Sequence, residues 1–150
     1  MRGGRDVEAA LDEFVELWGR LRAESEREGA IVVVEGERDR RALRRLGLRA
    51  PILLVHRGQP LSETAHRLAR ASRHVIVLTD WDGEGGLFAR RLREFLGAGP
   101  VILDLDFRRE LGRILRGELV HVEGLYGWAR RLAERRHVAL DQLLAPALAD

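Results

Sequence analysis

Apolar residues recur at steps of three and four through residues 6–28: Val7, Ala10, Leu11, Phe14, Val15, Trp18 and Leu21. That spacing predicts a helix with one buried stripe, ended by Gly29. The pattern then changes. Ile31-Val32-Val33-Val34 is apolar without alternation and mostly β-branched, which predicts a strand buried on both faces. A helix over 38–46 follows, with Ala42, Leu43 and Leu46 on one side and Gly47 as its stop. Pro51 opens a second strand, Ile52-Leu53-Leu54-Val55, and Pro60 opens a helix carrying Leu61, Ala65, Leu68 and Ala69. Val75-Ile76-Val77-Leu78 is a third strand and runs directly into Thr79-Asp80-Trp81-Asp82-Gly83-Glu84-Gly85-Gly86. A helix over 86–96 leads to a fourth strand, Val101-Ile102-Leu103, closed by Asp104-Leu105-Asp106. Helices over 107–116, 123–135 and 138–145 complete the chain.

Strands alternating with helices predict βαβ units: an α/β fold with a mainly parallel four-stranded sheet flanked by helices. No internal repeat, low-complexity tract or Pro/Gly/Ser-rich linker divides the chain, so one domain is expected.

Composition narrows the chemistry. With 150 residues, the chain is long enough to bury a core without covalent staples. It has no cysteine, which excludes disulfides, thiolate zinc sites and cysteine nucleophiles. It has no lysine either, and all 26 basic residues are arginine. A Walker-type phosphate loop and Schiff-base chemistry both need lysine. Arginine grips phosphate with a planar fork, although surface ion pairing accounts equally well for most of the arginines. A net charge of +2 excludes a generic polycation, and 5% aromatic content argues against a base-stacking platform. Residues 1–28 lack the apolar segment of a signal peptide, and no run reaches the length of a membrane span. The expected location is the cytoplasm, with no membrane partner.

In open parallel sheets, ligands sit outside the carboxyl ends of the strands. Two strands here end there in acidic residues: Val34-Glu35-Gly36, and Leu78-Thr79-Asp80-Trp81-Asp82-Gly83-Glu84-Gly85. Asp80 and Asp82 are two apart on an extended segment and point the same way, so they repel unless a cation lies between them. Magnesium suits one or two carboxylates and then receives substrate phosphates; Glu84 adds a third. Gly83, Gly85 and Gly86 are expected to let the backbone turn sharply and approach a phosphate. Nearby carboxylates are expected to raise the pKa of Glu35 and suit it to general acid–base work.

Two segments carry a family resemblance. Val32-Val33-Val34-Glu35-Gly36-Glu37-Arg38-Asp39 resembles the first motif of the Toprim domain of topoisomerases and primases, and Thr79-Asp80-Trp81-Asp82-Gly83-Glu84-Gly85 resembles the second. The resemblance spans residues 29–107. It implies a compact Rossmann-like Toprim core there, with residues 1–28 as an added N-terminal helix and 108–150 as a C-terminal helical extension of the same domain. It implies Glu35 as general acid or base, and magnesium held by Asp80, Asp82 and Glu84, with manganese equally compatible. The likeness is strongest to short stand-alone Toprim proteins of archaea and some bacteria. The ribonuclease that matures the small ribosomal RNA and the OLD-type nucleases are relatives.

A topoisomerase would need a nucleophilic tyrosine and gate domains. Tyr126, the single tyrosine, reads as a packing residue. A primase would need a zinc module and a polymerase domain. The expected function is therefore a metal-dependent nuclease acting on RNA or DNA. The alternatives are a non-catalytic nucleic-acid-binding accessory module and a phosphoryl-transfer enzyme on a small phosphorylated molecule. A homodimer or a protein partner would be compatible with each.

Candidate phosphate contacts are Gly36, Arg38, Arg40 and Arg41 at a helix start, Arg57 after the second strand, Arg108 and Arg109 after the fourth, and Gly83 and Gly85. His56, Asp104 and Asp106 are candidate accessory groups, with Asp106 most simply a helix N-cap. His66, His74, His121 and His137 lack ligand-like spacing and are taken as ordinary. Trp81 is expected to point away from the aspartates, and Asp39 to stabilise the helix after Glu35.

Overall fold

The structure is a computed structural model and describes residues 4–55 and 58–145, with side chains from Val7 onward. Its sheet holds β1 (Ala30–Val34) and β3 (His74–Val77) at the centre, with β2 (Ile52–Leu54) and β4 (Ile102–Asp104) as edges. The order is β2-β1-β3-β4 and every pairing is parallel. The unbroken apolar runs fall on the two central strands. All of β1 is buried, as are the last three residues of β3, while the edge strands are half-exposed or exposed.

Alternate residues of the central strands serve two cores. Val32, Val34, Ile76 and Leu78 pack against α1 (Gly4–Ser25), α2 (Glu37–Arg45), α5 (Asp106–Leu115), α6 (Leu125–Arg135) and α7 (Leu140–Leu144). Ile31, Val33, Val75 and Val77 pack against α3 (Leu61–Ala71) and α4 (Gly83–Leu96). The split follows from handedness. The chain steps from β1 to β2 in one direction, then crosses back over β1 to β3 and on to β4. Right-handed crossovers therefore put α2 on one face and α3 and α4 on the other.

The terminal helices are integral to the first core. Phe14 of α1 stacks on Trp18 and meets the Trp128 ring of α6 edge-on, each at 5.5 Å between ring centres. The Trp18 indole N–H donates to the Leu46 carbonyl at 2.8 Å, tying α1 to the end of α2.

The expected α/β class, parallel sheet and added terminal helices are all present. Several boundaries differ. α1 ends at Ser25, ahead of Gly29, and α7 spans only Leu140–Leu144. α4 begins at Gly83 rather than 86, because Asp82 caps it. A 3-10 turn, Val122–Gly124, precedes α6. Asp106 is the first residue of α5, not its cap. No helix among the described residues is long and apolar enough to cross a membrane.

Candidate functional site

The direction of chain connection reverses between β1 and β3, and in such sheets the crevice at the carboxyl ends opens at that point. β1 delivers Glu35 there and β3 delivers Thr79 and Asp80. The two join directly: the Asp80 backbone N–H donates to Glu35 Oε2 at 2.8 Å, across 45 positions of sequence. Burial is the main force raising the Glu35 pKa. The Asp80 N–H works against it, and the charges of Asp80, Asp82 and Asp39 add to the rise. The neighbouring carboxylates thus act in the expected direction but rank below burial.

Asp80 is buried, 8% exposed, and both of its oxygens are engaged. Oδ1 accepts the Val122 backbone N–H at 2.8 Å, and Oδ2 lies 3.2 Å from His121 Nδ1. Asp82 caps α4, its Oδ1 accepting the Gly85 N–H at 2.7 Å. Asp82 Oδ2 lies 3.8 Å from the same His121 nitrogen. One ligand atom each from Asp80, Asp82 and His121 lie within 4.8 Å of one another, a spacing that a single divalent ion spans.

His121 is the residue that sequence reasoning missed. It follows Asp80 by 41 positions on a loop of the C-terminal extension, and no motif spacing marks it. The Asp80 hydrogen bond, then the charges of Asp80, Asp82 and Glu123, raise its pKa. Glu84 is exposed in the first turn of α4 and stands outside this group of three.

Arg108 secures the floor of the site. Its Nε donates to the Thr79 carbonyl at 3.0 Å and its Nη2 to the Asp80 carbonyl at 2.6 Å. Burial lowers its pKa, and the charges of Glu35, Asp82 and Asp80 oppose that shift. Its guanidinium is therefore a fixed positive charge beneath the carboxylates rather than a free phosphate contact. Trp81 points away from the aspartates as expected, its indole N–H donating to the Arg108 carbonyl at 2.7 Å.

Gly85 is required for a reason other than ligand approach. A Cβ there would stand 2.0 Å from the Asp80 carbonyl oxygen, so the glycine lets α4 start directly against the Asp80 backbone. The Thr79 hydroxyl locks that contact by donating to the Gly85 carbonyl at 2.8 Å. Gly83 and Gly36 have open space where a Cβ would go. The Gly36 N–H donates to Asp39 Oδ2 at 3.0 Å, which gives buried Asp39 the helix-starting role expected of it.

Other candidates fall elsewhere. Arg40 and Arg41 are exposed and pair with Glu37. Arg38 is exposed on the same helix. Asp104 lies opposite Ile76 in register, four residues short of Asp80. Its oxygens contact His74 Nε2 at 3.3 Å and the Asp106 N–H at 3.0 Å, so it faces His74 rather than the acidic group. Asp106 is exposed and pairs with Arg109 at 3.3 Å. His56 and Arg57 lie outside the described residues.

No protein-family model matches the chain. A UPF0292 protein of Thermococcus gammatolerans is 45% identical over 114 residues, covering 76% of this chain and 81% of its own length. A UPF0292 protein of Methanosarcina acetivorans is 34% identical over 120 residues, 80% of this chain and 83% of its own. Among solved structures, a protein of Aquifex aeolicus superposes with a TM-score of 0.58 at 23% identity, over 72% of this chain and 94% of that one; it speaks to the fold alone. By sequence identity and coverage, the chain belongs to the UPF0292 family.

Proposed function

We propose that this protein is a Toprim-type, divalent-metal-dependent nuclease that cuts nucleic-acid phosphodiesters, with Glu35 as its general acid or base. The observation that carries this reading is the convergence of Glu35, Asp80 and Asp82 at the sheet's switch point, with Glu35 bonded to the Asp80 backbone. Two carboxylates and a third donor from His121 fit a hard or borderline cation. Oxygen ligands suit magnesium, and the imidazole nitrogen tilts the set towards manganese. Glu84 is the remaining acidic side chain of the expected set. An ion held there would neutralise charge on phosphate oxygens and acidify a bound water.

The chain's own residues supply the rest. A carboxyl whose pKa burial has raised keeps a proton available closer to neutral pH. Glu35 can then give that proton to the oxygen leaving phosphorus as water attacks, or take one from the water when ionised. The Asp80 N–H holds its other face in place. Arg108 keeps the Thr79 and Asp80 carbonyls in register, so that the aspartates stay aimed at the crevice.

The test is cleavage of labelled RNA and DNA, single-stranded and structured, with magnesium, manganese or chelator. Cutting should require metal. Glu35→Gln should lower the rate on the order of 10²–10⁴-fold while retaining the metal, and Asp80→Asn should lose both. A pure protein that binds metal and cuts nothing would sink the nuclease. The reading would then pass to an accessory nucleic-acid-binding module or to a small phosphorylated substrate.

A further inference from the structure

A second feature lies beside the acidic site. α2 and α6 are packed neighbours on the same face of the sheet. On α2, Arg38, Arg41 and Arg45 follow one another at steps of three and four, along one side of the helix. On α6, Arg130 and Arg131 stand one turn beyond Tyr126 and Gly127. All five arginines line one cleft between the two helices, of about 600 Å³, with Glu123 as the one carboxylate among the described residues of its walls.

Five positive charges less one negative leave +4 in this cleft, on a molecule whose net charge is +2. Ion pairs absorb only part of the excess. Arg41 and Arg130 each have a carboxylate at 3.6 Å, Glu37 and Glu134. Arg38, Arg45 and Arg131 have no carboxylate partner among the described residues. Arg45 instead lies 4.0 Å over the Tyr126 ring, a cation–π contact that holds it at the cleft wall. Like charges gathered on facing helices repel one another, and a polyanion relieves that repulsion.

The cleft also leads to the right place. The turn Val122–Gly124 belongs to both features: Val122 donates its N–H to Asp80, and Glu123 and Gly124 line the cleft. At the α2 end, Arg38 directly precedes Asp39, whose carboxylate caps the Gly36 next to Glu35.

We infer that the cleft between α2 and α6 is the track for a nucleic-acid backbone, its arginines holding successive phosphates and feeding the backbone towards Glu35 and Asp80. The inference rests on the nuclease reading above and adds where the substrate lies. Guanidinium-to-phosphate contact reads neither base nor sugar, so RNA and DNA of one sequence bind alike.

The experiment is fluorescence anisotropy in chelator, where cleavage is silent, on a labelled single-stranded RNA, the matching DNA and its duplex, across a salt series. Arg38→Ala/Arg131→Ala removes two exposed side chains. It should weaken single-strand binding on the order of tenfold and flatten the slope of log affinity against log salt by about 1.4, some 0.7 per phosphate contact. Arg38→Lys/Arg131→Lys should keep the slope. Arg90→Ala/Arg93→Ala, on α4 across the sheet, should change neither. A native-like melting temperature in each variant shows that the fold is intact. Unchanged affinity and slope in the alanine pair, with native cleavage persisting, overturn the track and leave the metal-site reading standing. A native chain that binds neither polymer at low salt overturns both readings.

Discussion

At the residue scale, the site turns on how Asp80 is held. A buried carboxylate needs partners for its oxygens, and Asp80 finds them in a backbone N–H and an imidazole, both from the C-terminal extension. That pairing has a directional consequence for His121. A hydrogen bond to a carboxylate favours the charged imidazole, so the His121 pKa lies above the ordinary value. In an NMR pH titration of the metal-free protein, the His121 midpoint should therefore lie above the ordinary histidine value. Asp80→Asn removes the charge while keeping an oxygen for the Val122 N–H, and should bring the His121 midpoint back down. A midpoint that the substitution leaves unmoved would show that the contact is not made in solution.

At the element scale, the start of α4 does two things with one side chain. Asp82 satisfies the Gly85 N–H and presents its other oxygen to the group of three. The helix's positive end lies beside these carboxylates and stabilises their charge. The two roles separate by substitution. Asparagine caps as well as aspartate, so Asp82→Asn should leave stability nearly unchanged and weaken metal binding. Asp82→Ala should weaken metal binding as much and cost about 1 kcal/mol in denaturant unfolding as well. Equal stability in the two variants would show that the cap carries no weight. Three glycines within four residues read as loop, while a capped helix tolerates glycine in its first turn, where the backbone of Asp80 leaves no room for a Cβ at Gly85.

At the scale of the whole molecule, the extension beyond residue 107 serves both the core and the candidate site. It supplies Trp128 to the core around Phe14, and the turn that closes on Asp80. Trp128→Ala should cost about 3–5 kcal/mol, a large part of a domain's usual stability. The Trp128 indole N–H is buried without a hydrogen-bond partner among the described residues. Trp128→Phe, which keeps a ring and drops that N–H, should therefore cost far less. Denaturant unfolding of both variants checks the pair, and similar losses would mean that the ring is not what the core needs.

The order of apolar runs and helix stops was enough to determine the α/β class and the number of strands. It also placed Glu35, Asp80 and Asp82 on one rim, because a parallel sheet aligns all carboxyl ends and each motif sits directly after its strand. It marked Arg38 and Arg41 as phosphate candidates by their closeness to Glu35. Only the tertiary structure decided which side chains meet. His121 reaches Asp80 through a loop whose path no local pattern encodes, Arg108 becomes a half-buried support beneath the site, and Asp104 is drawn to His74 by its register beside β3. The arginines of α2 and α6 form one cleft because right-handed crossovers put α2 on the face that the C-terminal helices cover. Periodicity is a property of neighbours along the chain, whereas charge convergence depends on the packing of elements far apart in it.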